Sequence, residues 1–161
     1  MARTDNELSV RTSVLDRLID YEPEITREPT ASRSKSLRLL KESVKRDLEW
    51  LLNTRQTAGG LPPDLKELNN SVAAYGLPDF TNLSIDNPAD RKSIKREIEL
   101  AIKRFEQRLD NVKVSIDPGD DIDRVLRFRI DGRLKIDPAP VPVTFDTTLE
   151  LGTGEYVVRE E

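Results

Sequence analysis

Chemistry in this chain has to come from carboxylates, guanidinium and ammonium groups and a few phenols. Asp and Glu number 30, Lys and Arg 26, and there is neither histidine nor cysteine. The missing imidazole removes serine–histidine and cysteine–histidine nucleophile arrangements and the commonest transition-metal ligand. The missing thiol removes disulfides, thiol catalysis and zinc held on thiolates. No Gly-x-x-x-x-Gly-Lys-Ser/Thr run or Gly-x-Gly-x-x-Gly fingerprint occurs, so the familiar phosphate cradles are absent too. No cofactor and no metal site is expected.

Among the remaining charged groups, Glu106 and Arg108 stand out beside Phe105, at the point where the apolar period passes from helical to alternating. A guanidinium this close keeps a carboxyl ionised, which disfavours an acid-catalytic role. Two uses remain open: presentation of a carboxylate and a planar, multi-donor guanidinium to a neighbouring molecule, or an intrachain ion pair at a helix end. A second motif is Tyr75-Gly76-Leu77-Pro78-Asp79. Its glycine permits a left-handed helix ending and its proline enforces the exit, a sufficient structural account of Tyr75, Gly76, Pro78 and Asp79.

The elements that position these residues follow from periodicity. Val14, Leu15, Leu18 and Ile19 predict an amphipathic helix from about Leu8 to Asp20. The stretch 21–34, with Pro23 and Pro29, reads as an irregular connection, as do residues 1–7. Leu37, Leu40, Val44, Leu48 and Leu51 predict a longer helix from near Ser36 to about Asn53, with Trp50 in its core. After Gly59-Gly60 and Pro62-Pro63, Asp64 is expected to cap a short helix carrying Leu65, Leu68 and Val72, with Gly76 as terminator. Asp90 is expected to cap a further helix on which Ile94, Ile98, Ala101, Ile102 and Phe105 recur.

Beyond it the period becomes two. Val112, Val114 and Ile116 alternate with polar residues, then Leu126, Phe128 and Ile130, then Leu134 and Ile136, with Gly132 marking a bulge or bend. Strands through Val143 and Phe145 and through Tyr156 and Val158 complete the list. Helices in the first two thirds and strands in the last third predict an α+β fold, with N-terminal amphipathic helices packed on a C-terminal, mainly antiparallel β-sheet. The 161 residues suit a single domain spanning 1–161. A formal net charge of −4 supplies no basic field for phosphates, so nucleic acid is not an expected partner. No run approaches the roughly 20 apolar residues that span a bilayer, and Met1-Ala2-Arg3-Thr4-Asp5 leads into no apolar signal core. A cytoplasmic location without direct membrane insertion is expected.

Four strings occur in order along the chain: Ser13-Val14-Leu15-Asp16-Arg17-Leu18; Ser43 to Arg55, ending Asn53-Thr54-Arg55; Ser71 to Asp79, containing Tyr75-Gly76-Leu77-Pro78-Asp79; and Phe105-Glu106-Gln107-Arg108-Leu109 with Val112 beyond. Together they resemble the TssE family of type VI secretion baseplate subunits and its relatives among contractile phage-tail baseplate wedge proteins. The family's last motif reads Glu-Pro-Arg after an aromatic residue, and here Gln107 stands in place of the proline. The resemblance implies a non-catalytic structural subunit that stabilises the baseplate wedge with partners resembling TssF, TssG and TssK. It also implies a link to contractile sheath subunits, with Phe105, Glu106 and Arg108 as the subunit-interaction motif. The strands from about Pro142 to Val158 would offer an exposed edge on which sheath assembly starts.

Two alternatives come with the resemblance. Relatives have carried a lysozyme label, and a peptidoglycan hydrolase needs two carboxylates flanking a sugar cleft, one of them protonated. With one Trp, three Tyr and an ionised Glu106, the chain is not expected to be an enzyme. Small anti-adaptor regulators that share this fold form the other alternative.

Overall fold

The computed structural model describes residues 13–19, 33–57, 60–80, 83–84, 87–117, 125–150 and 155–160. Its order is α1 (Val14–Leu18), α2 (Arg33–Asn53), α3 (Lys66–Asn69), a single 3-10 turn (Val72–Ala74), α4 (Pro88–Phe105) and strands β1 (Leu109–Asp117), β2 (Val125–Leu134), β3 (Val141–Glu150) and β4 (Glu155–Glu160). The strands form one antiparallel meander in the order β1-β2-β3-β4. The expected α+β arrangement of helices followed by an antiparallel sheet is what the chain adopts.

Period dictates the core. On α2 the side chains of Leu40, Val44, Leu48, Leu51 and Leu52 are buried, and on α4 those of Ile94, Ile98, Ala101 and Ile102. These stripes cover the inner face of the sheet, where Val114, Phe128, Ile130, Val143, Phe145, Tyr156 and Val158 alternate with outward polar residues. Phe145 and Val158 are wholly buried, and Phe128 meets Tyr156 edge-on with ring centroids 5.8 Å apart. Arg129 and Asp146 pair across strands on the other face at 2.9 Å.

Several local expectations are corrected. Asn87, not Asp90, caps α4: its side chain accepts from the Ala89 N–H, with Pro88 in the first turn where a missing N–H is harmless. Asp90 instead accepts from the Ser84 N–H. Asp64 caps nothing, because α3 begins after Leu65 without a side-chain cap, and Leu65 and Val72 are exposed rather than core. The bulge expected at Gly132 lies on the partner strand: Asp110 and Lys113 of β1 pair with Arg133 and Asp131, so Gly132 faces two residues, Asn111 and Val112. Asn111 takes the positive φ of 52° that this bulge requires.

Trp50 is also not core. It is 54 % exposed, because its position on α2 falls on the side of Ser43 and Arg46 rather than under the leucine stripe. The first helix is described over Val14–Leu18, and the predicted residues 8–12 and 20 lie outside the described residues, as does most of the predicted connection 21–34. Val14, Leu15 and Leu18 are exposed. The apolar face of α1 does not join the core.

Candidate functional site

The site is an elbow between α4 and β1. Helix α4 ends at Phe105, and the Glu106 N–H still donates to the Ile102 carbonyl at 2.8 Å while Glu106 itself leaves helical conformation. Three residues later, at Leu109, β1 begins, so Glu106 and Arg108 are held from both sides. The Glu106 carboxylate accepts from Arg108 Nε at 2.7 Å, from Nη2 at 2.5 Å and from the Arg108 backbone N–H at 3.1 Å. A forked guanidinium matches a carboxylate in this way and lysine cannot. The intrachain pair left open by the sequence is thus formed.

Helix α2 extends the network. Asp47 Oδ2 accepts from Arg108 Nη2 at 2.5 Å, and Ser43 Oγ accepts from Nη1 at 2.9 Å. The same Ser43 hydroxyl donates to Asp16 Oδ2 of α1 at 2.7 Å. Arg46 joins Asp16 to Asp47 at 2.9 Å each, and its guanidinium lies over the Trp50 ring, 5.1 Å from the centroid. Ser13 caps α1, accepting from the Asp16 N–H and donating to its carboxylate. One polar network therefore ties α1, α2 and the elbow together, with Ser43 as its junction.

Burial sets the electrostatics. Glu106 is 5 % exposed. Burial alone would lower the Arg108 pKa, but hydrogen bonds and charges from Glu106 and Asp47 outweigh it and raise it, so the guanidinium is charged at every accessible pH. Burial pushes the Asp16 carboxyl up; the hydrogen bonds from Ser13, Ser43 and Arg46 and the Arg46 charge overcome this and hold it below its ordinary value. The Tyr75 phenol is raised by burial and then by the Asp47 and Glu106 charges.

Beside the network is an open hollow of about 390 Å³, lined by Ser13, Asp47, Leu51, Tyr75, Phe105 and Arg108 among others. Tyr75 and Phe105 form its aromatic wall, edge to face at 5.2 Å. Its carboxylates are engaged by guanidinium, which suits recognition and fold support rather than proton transfer. Among the described residues no group of carboxylates is arranged to hold a metal ion.

Of the residues singled out by sequence, Phe105, Glu106, Arg108 and Tyr75 come together here. Gly76, Pro78 and Asp79 do not. Gly76 has φ +104°, and a Cβ there would lie 2.4 Å from the Thr54 carbonyl oxygen. Its task is close approach of two backbones rather than helix termination: Leu77 N–H donates to Thr54 O at 2.8 Å and Gln56 N–H to Leu77 O at 2.9 Å. Pro78 is half-buried and Asp79 exposed. Sequence reasoning missed Ser43, Arg46, Asp47 and Asp16 as members of the site. Ser43 and Asp47 lie 65 and 61 residues from Arg108, and no local signal in the sequence joins them to it.

Residues 38–139 match the family described as baseplate wedge protein gp25. The chain belongs to that family. The matched stretch covers well over half of the 161 residues and contains most of α2, α4, the elbow, β1 and β2. A structural role in the baseplate of a phage-tail-like assembly, in contact with other baseplate proteins, goes with gp25 membership. The family is a structural one. No curated protein matches the chain closely enough to count as a relative. No helix among the described residues is long and apolar enough to cross a membrane.

Proposed function

We propose that this gp25-family chain is a non-catalytic subunit of a type VI secretion baseplate, which stabilises the wedge through proteins resembling TssF, TssG and TssK and connects it to the contractile sheath. The observation that carries the proposal is the family match across 38–139, which includes three of the four strings on which the resemblance rested, the one at Ser13 to Leu18 lying outside it. The geometry supports a binding role in a particular way. The Glu106–Arg108 elbow and α1 are fixed to one network, and beside them lie an open hollow, an exposed Trp50 and the outward aliphatic side chains of α1. Apolar groups rimmed by fixed charges are the usual composition of a protein-binding surface. In this reading Phe105, Glu106 and Arg108 shape the surface that meets the wedge proteins, and the strands from 142 to 158 face the sheath. The subunit works in the cytoplasm and needs no cofactor.

Affinity co-purification of the tagged chain from its native host tests this, with an Arg108→Ala variant compared at equal folded fraction by circular dichroism. Recovery of wedge and sheath proteins with the wild type, and their loss with the variant, is the expected result. Recovery of a lone regulatory protein would replace the proposal with the anti-adaptor reading, and recovery of neither would refute the baseplate role.

A further inference from the structure

β4 is the last strand of the sheet, and only one of its edges is occupied by β3. Three of its outward backbone groups are nevertheless taken. The Tyr156 N–H donates to Asn53 Oδ1 at 2.9 Å, and the Tyr156 carbonyl accepts from Asn53 Nδ2 at 2.8 Å. Two residues on, the Val158 N–H donates to Glu49 Oε1 at 3.0 Å. Asn53 thus makes the paired donor and acceptor contacts that a neighbouring strand would make, and Glu49 supplies the next acceptor. Both sit on one stripe of α2, and Lys41 further up the same stripe binds Glu160 at 2.6 Å. At the opposite edge of the sheet a side chain acts in the same sense, where the Val114 N–H of β1 donates to Glu99 Oε1 of α4 at 2.8 Å.

An open edge strand is a template for another chain, and side chains that cover it keep a subunit apart from its copies. The segment behind this cover is self-complementary. If two copies of β4 meet antiparallel about Val157, Tyr156 of each lies opposite Val158 of the other and the pair exchanges both backbone hydrogen bonds. The groups used would be the Tyr156 N–H and carbonyl and the Val158 N–H, those held by Asn53 and Glu49. In the same register Glu155 of one copy faces Arg159 of the other, an opposite-charge cross-strand pair. We propose that Asn53 and Glu49 form a latch on the outer edge of β4, closing a strand-pairing surface whose complement is a second copy of this chain. It also gives the Asn53-Thr54-Arg55 string a physical task that lies outside the elbow.

The full chain with Asn53→Ala and Glu49→Ala combined tests the proposal, using amide hydrogen exchange by NMR and sedimentation across a concentration series. The wild type should be monomeric, with the Tyr156 and Val158 amides protected. In the double variant these two amides should exchange about tenfold faster or more, while the β3-bonded Val157 amide keeps its protection at low concentration. At high concentration the variant should dimerise, and adding Arg159→Glu should suppress the dimer. Glu49→Gln keeps the acceptor and should leave Val158 protected, which separates a backbone contact from a charge effect. Unchanged exchange at Tyr156 and Val158 would overturn the latch, and open amides in a strictly monomeric variant would overturn the second-copy complement. Should the double variant lose protection throughout its core, Glu49→Ala alone decides the matter, with selective opening of Val158 expected.

Discussion

Arg108 satisfies a buried carboxylate, reaches a second one on α2 and donates to the junction hydroxyl of Ser43. Replacing it by alanine strands Glu106, which has 5 % exposure and, among the described residues, no other cation within hydrogen-bonding reach. The expected loss is about 3 kcal/mol in urea unfolding, the lower end of the range for breaking a buried pair because Arg108 itself remains a quarter exposed. A loss within about 1 kcal/mol would mark the pair as a surface contact. Thr147 presents the opposite case. It lies in the core between Phe128 and Val158 in register, and its hydroxyl is buried with no partner among the described residues. Thr147→Val removes the unsatisfied oxygen at nearly constant shape, so stability should rise by about 1 kcal/mol in the same assay. A loss would show that the hydroxyl is satisfied in solution.

At the scale of elements, α1 is attached unlike the rest. Its aliphatic residues point outward, and the recorded contacts from its side chains to the body run from Asp16 to Ser43 and Arg46. Because the folded state depresses the Asp16 pKa below 3.8, docking should be complete above pH 3.8 and lost as pH falls through the lower folded value. Asp16→Asn removes the charge and should weaken docking by roughly 1.5–3 kcal/mol at neutral pH. Amide exchange at Ile19 checks both, and protection of Ile19 in the variant equal to that of the wild type at neutral pH would show that α1 is held by something else. This attachment was not legible in the sequence, where Val14, Leu15 and Leu18 suggest burial. The long helices were legible because Leu40, Val44, Leu48 and Ile94, Ile98, Ile102 repeat without interruption. Glu106 and Arg108 were legible as a pair, but Asp47 and Ser43 stand 61 and 65 residues from Arg108 and meet it only after α2 has crossed the elbow. Trp50 misled because its leucine neighbours in sequence lie on a different face of α2.

At the scale of the whole molecule, the stretch matched to the gp25 family ends at residue 139, before β3 and β4 begin. The sheet does not end there. β3 pairs along ten residues of β2, and Val143, Phe145, Leu149, Tyr156 and Val158 fill the core beneath α2. Each fully buried side chain of this size contributes about 1.5–3 kcal/mol, so together they exceed much of the roughly 5–15 kcal/mol by which a domain is stable. A fragment of residues 1–139 should therefore fail to fold cooperatively, despite containing the matched region: no sigmoidal melt by circular dichroism, and dye binding by exposed apolar surface. The full chain, which we propose folds as one unit on this shared core, should melt in a single transition with coincident far- and near-ultraviolet signals. A cooperative melt from the fragment would mean that α2, α4, β1 and β2 form a self-sufficient core, and β3 and β4 would then be an appendage free to serve assembly alone.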